Sequence, residues 1–241
     1  MDTILGNVHS IETFGALDGP GIRYVIFLQG CPLRCIYCHN ADTWTFEKNK
    51  LISPQEALED ILRYHSFIEN GGVTISGGEP MLQAKFCKQL IDLCHTEGIH
   101  CAIDTSGGVP LEKCGQAVDA ADMLLLDIKA LDKSLAKKIT GRERLYFKEI
   151  LDYCEKTKKD VWIRHVIVPD LTLKKELLEE LAEFLKKYKC VKKVELLPFH
   201  KLGEYKWREL GNKSPLSEQR VPTNKEIELA NNIFKSRGFV V

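Results

Sequence analysis

The sequence predicts an α/β protein, built as an open, partial barrel of six β-α units around a parallel sheet. Three observations carry that expectation. Short, near-continuous apolar runs recur along the 241 residues, and strands buried on both faces of a parallel sheet read this way. Helical patterns with clear start and stop signals separate the runs. The alternation occurs six times, too few for a closed eight-stranded barrel, and serial β-α units imply right-handed crossovers. A flat, doubly wound sheet is the second choice.

Taken in order, the strand candidates are YVIFLQ (24–29), GVTIS (72–76), HCAID (100–104), MLLLDI (123–128), VWIRHVIV (161–168) and KVELLPF (193–199). SPQE at 53–56 is a capping box, with Ser53 as cap, Pro54 in the first turn and Glu56 bonding back. The helix it opens places Ala57, Leu58, Ile61, Leu62, His65 and Ile68 on one face. A helix over 83–97 lines up Phe86, Cys87, Leu90, Ile91 and Cys94, and Gly98 stops it. A third, over 174–188, carries Leu177, Leu178, Leu181, Leu185 and Tyr188 at helical spacing. A last one opens at TNKE (223–226) and ends before Gly238. No repeat, low-complexity segment or linker interrupts the chain. One domain over 1–241 is therefore expected, with an N-terminal segment 1–23, a core 24–200 and a helical tail 201–241.

Composition is that of an ordinary globular protein, 44% apolar and 28% charged. A formal net charge of zero gives no footprint for bulk binding to nucleic acid. The run KKYKCVKK (186–193) reads as solvated surface, with a docking patch for an acidic protein as the alternative. The opening MDTILGNVHS lacks the pattern of a targeting peptide, and no apolar run reaches membrane-spanning length. A cytoplasmic protein, without membrane or nucleic-acid partners, is expected. Nine cysteines without a secreted framework's spacing suit metal or redox chemistry in a reducing compartment.

In such sheets the loops at the carboxyl ends of the strands form the site. Here those ends deliver Cys31, Cys35 and Cys38, then SGGEP (76–80), then Asp104-Thr105-Ser106, then Asp127 and Lys129, and finally His200, with Arg164 inside the fifth strand. The three cysteines have C-x3-C-x2-C spacing. Structural zinc wants four ligands, commonly as two paired motifs, and no second pair exists. Three thiolates in one loop leave a corner of a [4Fe–4S] cube without protein, so an iron stays open to a small molecule. On chemistry alone a cluster is the first choice and zinc the second. Cys87, Cys94, Cys101, Cys114, Cys154 and Cys190 are scattered and read as buried or incidental thiols.

The spacing, with Tyr37 just before the last cysteine, resembles the signature of the radical S-adenosylmethionine enzymes. Gly77-Gly78-Glu79 is similar to their glycine-rich segment, and the resemblance implies their partial (β/α)6, open TIM-like barrel. Within that superfamily DGPGIR (18–23) resembles the hallmark of glycyl radical enzyme activases. YCHNADTW (37–44), VTISGGEP (73–80), LLLDIK (124–129) and ELLPFHKLGEYKW (195–207) are similar to the activases that act on pyruvate formate-lyase. No cysteine lies between Cys38 and Gly77, so the ferredoxin-like insert of many relatives is missing. The implied activity is cleavage of S-adenosylmethionine at a [4Fe–4S] cluster, followed by removal of a glycine Cα hydrogen from pyruvate formate-lyase. Another glycyl radical enzyme is the alternative partner. Flavodoxin or ferredoxin is the implied electron donor. An electron-transfer protein and a zinc-stabilised binding domain are the readings from other classes.

The resemblance also implies roles. Cys31, Cys35 and Cys38 ligate three irons. Tyr37 packs on the adenine or is a core aromatic beside the cluster. Gly77 and Gly78 admit the methionine moiety, and Glu79 accepts from its ammonium or caps the next helix. Asp104, Thr105 and Asp127 hold a monovalent cation; otherwise one aspartate caps a helix and the other pairs with Lys129. Lys129 and Arg164 offer charge to a carboxylate, and a buried Arg164 needs an anionic partner. His200 meets the ribose or adenine. His39, Asn40 and Trp44 shield the cluster or bond the ligand, and Ile128 lies beside it. Asp18 meets the partner's glycine loop, or Gly19-Pro20-Gly21 is simply a tight turn.

Overall fold

Residues 4–241 are described by a computed structural model. Met1–Thr3, which begin both the MDTILGNVHS stretch and the expected 1–23 segment, lie outside the described residues. The chain divides into two units: Met1–Pro32 with Thr43–Leu125, and Leu33–Asp42 with Leu126–Val241.

The first unit opens with β1 (Gly6–Gly15), antiparallel to β2 (Arg23–Leu28) and to β3 (Lys50–Ile52). Neither β1 nor β3 is among the expected strands. β1 alternates buried and open positions along most of its length, so it shows no apolar run, and β3 is too short to show one. α1 (Pro54–Leu62) carries the expected capping box from Ser53 and Glu56. The chain then leaves the helix at Tyr64, φ −110°, and turns again as α2 (His65–Ile68). This corrects the expected single helical face: Ala57, Ile61 and Ile68 are buried, but Leu62 is 38% exposed and His65 is exposed. The break at Tyr64 turns His65 off the stripe, whereas Leu62 is exposed within α1 itself; the Tyr64 ring stands 5.7 Å from that of Tyr24.

β4 (Gly72–Gly77) runs parallel to β2, from Arg23↔Gly72 to Leu28↔Gly77. After a 3-10 turn at Pro80–Gln83 comes α3 (Ala84–Thr96), with Phe86, Cys87, Leu90, Ile91 and Cys94 all buried. Gly98, at φ +70°, ends that segment. β5 (Cys101–Thr105) pairs in parallel with β4, and α4 (Leu111–Ala120) leads to β6 (Met123–Asp127). The first unit's strands lie in the order β3-β1-β2-β4-β5-β6.

The second unit continues with α5 (Lys133–Thr140), α6 (Phe147–Thr157) and β7 (Asp160–Ile167). α7 (Lys175–Leu185) buries Leu178, Leu181 and Leu185, while Leu177 is half-buried and Tyr188 packs beyond the helix end. β8 (Val191–Pro198) is parallel to β7, with Arg164 opposite Glu195. α8 (Glu204–Glu209) and α9 (Asn224–Lys235) complete it, α9 with the expected Thr223–Glu226 capping box. From β2 onward, neighbours in the sheet are neighbours in sequence and β8 is a free end of the order. This is an open sheet without the reversal that a doubly wound fold requires. All six expected strands exist, each displaced by at most two residues at either end. Among the described residues no helix is long and apolar enough to cross a membrane.

Candidate functional site

In the first unit β2 ends at Leu28, two residues before Gly30 and three before Cys31, with Cys31 7% exposed. β4 delivers Gly77, Gly78 and Glu79. The Gly78 N–H donates to the Leu28 carbonyl at 2.8 Å and the Glu79 N–H to the Gly30 carbonyl at 2.9 Å. A Cβ on Gly78 would lie 2.3 Å from the Gly30 oxygen, and one on Gly77 would lie 2.2 Å from the Leu28 nitrogen, at φ +119°. Both glycines are therefore required by the close approach of β4 to the chain entering the cysteine loop. The sequence reading assigns these glycines to the approach of a methionine moiety and does not foresee this backbone partner.

Glu79 is 1% exposed and its carboxylate is fully engaged. It accepts from Thr105 Oγ1 at 2.7 Å, from the N–H groups of Ser106 at 3.0 Å and Met81 at 3.1 Å, and from Ser106 Oγ at 2.5 Å. Burial pushes this carboxyl above its ordinary value, against hydrogen bonds that pull it down. Of its two expected roles, the capping one is present, at the 3-10 turn. Asp104 accepts from Ser76 Oγ at 2.9 Å. Thr105 is 1% exposed.

The DGPGIR segment forms the expected turn, with Gly19 at φ +125° and Gly21 at φ +70°, and the Asp18 carbonyl accepts from Thr74 Oγ1 at 2.6 Å. Its arginine has a role the sequence did not announce. Arg23 is fully buried, and its guanidinium donates to Thr74 Oγ1 at 2.9 Å, to the Gly71 carbonyl at 2.5 Å and to the Val73 carbonyl. The planar fork ties the turn to β4.

The second unit holds the rest of the cysteine loop. Backbone bonds from Arg34 to the Thr140 carbonyl (2.8 Å) and from Ile36 to the Ile139 carbonyl (2.9 Å) fasten it to the end of α5. Cys35 is buried, Cys38 is half-buried, and the Cys38 N–H donates to the Cys35 carbonyl at 3.0 Å. Two residues from α8 grip the loop. Trp207 Nε1 donates to the Cys38 carbonyl at 2.9 Å, and Lys206 Nζ reaches Asn40 Oδ1 at 2.9 Å and Asp42 at 3.0 Å. His39 Nε2 meets the His200 carbonyl at 3.0 Å, and the two imidazoles lie 4.0 Å apart. Burial, then the neighbouring His200, hold His39 below its ordinary value, so both rings are neutral at pH 7. Trp44, in the first unit, is half-buried.

At the end of β6, Asp127 pairs with Lys129, as the second of its sequence readings expects. The Lys129 ammonium also lies 5.3 Å from the centre of the Tyr37 ring. Burial pulls Lys129 down, but Asp127, Tyr37 and Cys35 outweigh it and hold the ammonium well above its ordinary range. Burial drives the Tyr37 phenol well up. Ile128 is fully buried; its N–H donates to the Arg164 carbonyl at 2.9 Å, and its own carbonyl faces His165 Nδ1 at 2.6 Å. Arg164 has its anionic partner in Glu195, at 3.6 Å. His165, 4% exposed, is a residue the sequence reading passed over, since alternation with Arg164 on one strand was its only mark.

The donor set fits a thiolate-held cluster: three cysteines in one fastened loop, with a lysine cation beside Cys35. Two buried oxygens, Tyr37 Oη and Asp127 Oδ1, have no hydrogen-bond partner among the described residues. Buried polar atoms are rarely left so; Gln29 Oε1, Arg164 Nε, Glu195 Oε2 and Glu204 Oε1 share the condition.

Comparison with known proteins defines the class. The Radical SAM superfamily model matches residues 25–194. A pyruvate formate-lyase-activating enzyme of Clostridium pasteurianum is 46% identical over 209 residues, covering 86% of this chain and 87% of that one. One from Listeria monocytogenes is 38% identical over 247 aligned positions, covering 99% and 100%. Among solved structures, a domain of a pyruvate-formate lyase-activating enzyme from Bacteroides vulgatus aligns with TM-score 0.59 at 21% identity, over 70% of this chain and 96% of that one. QueE from Escherichia coli aligns with TM-score 0.58 at 18% identity, over 99% and 92%; these two likenesses are of fold. The chain belongs to the radical SAM superfamily and, within it, to the family of pyruvate formate-lyase-activating enzymes.

Proposed function

We propose that this enzyme installs a glycyl radical on pyruvate formate-lyase, working as one domain in the cytoplasm. The observation that carries the reading is the Cys31–Cys38 loop, fastened at both ends, in a chain that aligns with relatives of that name along nearly its whole length. Cys31, Cys35 and Cys38 would hold a [4Fe–4S] cluster, and with S-adenosylmethionine bound beside it the cluster would supply the one-electron chemistry needed to remove a Cα hydrogen from the partner's glycine.

The chain's own work is positioning and exclusion of water. Lys129 and Arg164 place positive charge near the ligand's carboxylate. Asp104, Thr105 and Asp127 hold a monovalent cation, which the unsatisfied Asp127 Oδ1 supports. Tyr37, Ile128, His39, Asn40 and His200 line the nucleoside side, with His39 and His200 neutral and therefore able to accept or donate. Gly77, Gly78 and Glu79 keep β4 against the loop entrance. Asp18 stands near the entry of the partner's glycine loop. A flavodoxin or ferredoxin delivers the electron.

The test uses oxygen-free, cluster-loaded enzyme with S-adenosylmethionine, a reductant and pyruvate formate-lyase. A glycyl radical signal by electron paramagnetic resonance, lost in Cys35→Ala, supports the reading. Formation of 5′-deoxyadenosine with a radical only on a different glycyl radical enzyme would move the partner and keep the chemistry. No cleavage by cluster-loaded enzyme would sink both.

A further inference from the structure

At the opposite end of β5 from Asp104 and Thr105, about 10–13 Å away at 3.3 Å per strand residue, three different metal-ligand types converge. His95 stands in the last turn of α3, Cys101 begins β5, and Asp122 sits in the loop before β6. The histidine nitrogen, the thiol sulfur and a carboxylate oxygen all lie within 4.8 Å of one another. All three residues belong to the first unit and to no part of the cysteine loop. We propose that His95, Cys101 and Asp122 form a second metal site, which takes a divalent cation of the zinc class.

The ligand chemistry selects that class. A sulfur, an imidazole nitrogen and a carboxylate oxygen are the donors zinc takes, and hard cations such as magnesium or calcium avoid sulfur. Three protein ligands leave a fourth position for water. The site has a dry wall and an open mouth: Cys101 is fully buried, while the His95 and Asp122 side chains are 39% and 37% exposed. An ion can enter from solvent without unfolding the strand.

The surroundings favour assembly. Asp122 Oδ2 accepts from the Cys101 N–H at 2.6 Å, so the carboxylate is already anchored to the strand that carries the thiol. The same oxygen faces His95 Nε2 at 3.0 Å, which brings the imidazole to the position where a cation would replace that bond. His100, next in sequence to Cys101, is committed elsewhere: its Nδ1 faces Arg23 Nη1 at 3.1 Å. Cys94, fully buried on α3, touches the Cys101 thiol and can donate its S–H to a metal-bound sulfur. Thiolate and carboxylate balance a divalent ion, although the nearby Arg23 guanidinium faces the same Cys101 and Asp122 ahead of Asp18, so the ion shares these two anions with it. Binding displaces the Cys101 proton to solvent.

The experiment takes full-length, cluster-loaded enzyme, equilibrates it with zinc, removes loose metal, and measures zinc per chain and its X-ray absorption fine structure. The expected result is one retained zinc per chain beyond an unchanged iron content, with a sulfur neighbour at about 2.3 Å and lighter neighbours. Cys101→Ser is expected to weaken retention more than about tenfold and remove the sulfur shell. His95→Gln, on the exposed side of the site, keeps the fold intact and is expected to weaken retention while the sulfur shell persists. No zinc retained by the parent, or zinc retained by both variants as well as by the parent, overturns the proposal.

Discussion

The indole of Trp207 donates to the carbonyl of Cys38 at 2.9 Å, across 169 positions of sequence. Trp207 is 7% exposed and Cys38 half-buried, and the bond holds the last cysteine of the loop in place. Trp207→Phe keeps the aromatic body and removes the donor. The expected cost is about 0.5–1.5 kcal/mol in thermal unfolding, from loss of one hydrogen bond. Iron retained after anaerobic reconstitution should fall with it. If melting and iron content both match the parent, the clamp is idle.

Glu79→Gln tests the four-bond carboxylate. An amide presents its own N–H groups to donors that need an acceptor, chiefly Ser106 and Thr105. A loss of about 1–3 kcal/mol is expected in urea unfolding, with the denaturant slope unchanged. A loss below about 0.5 kcal/mol, the range of an ordinary surface change, would contradict it.

Two glycines are expected to differ in why they resist alanine. A Cβ at Gly78 meets the Gly30 backbone, so the β4 loop must move; about 3 kcal/mol or more is expected, together with poor cluster loading. Gly98 has open space around it and only its φ of +70° to strain, so Gly98→Ala should cost about 1–2 kcal/mol and leave loading unchanged. Equal costs in parallel denaturation curves would refute the distinction.

Acid titration should find Glu226 far below its neighbours. Its carboxylate takes a two-pronged contact from Arg220 at 2.7 and 2.8 Å and bonds from Thr223, which lower it from 4.5 to about 2. A depressed carboxyl contributes stability that is fully present above the unfolded value and lost as pH falls from there toward the folded one. Carbon-13 NMR of Glu226 should show a midpoint near about 2, and Arg220→Ala should move it upward. A midpoint near 4.5 in the parent would rule the pairing out in solution.

The parallel strands were legible because burial on both faces leaves runs such as LLLD, which needs no knowledge of neighbours. β1 was not, because this antiparallel strand between β3 and β2 mixes Asn7, His9 and Glu12 with its apolar residues. The helix break at Tyr64 escaped a periodicity reading because no glycine or proline marks it. At the site, cysteine spacing is a local signal and was readable. The grip of Lys206 and Trp207 on that loop is a long-range pairing with no local pattern. The Gly77-Gly78 pair reads as room for a ligand, and only the fold shows that a Cβ there would also meet the backbone of Leu28 and Gly30. His165 and Arg23 look like ordinary strand polar residues until burial reveals them.

The two outer strands of the ordered sheet also bear on how copies of this protein treat one another. β3 is three residues long, and the Val194 N–H on β8 is taken by the Val240 carbonyl at 2.8 Å. A long bare margin would template a foreign strand and seed precipitation. One flank is too brief to recruit a neighbour, and the other has a donor already occupied by the protein's own tail. The colloidal stability of a concentrated preparation therefore depends in part on Val240, a residue with no place in the chemistry.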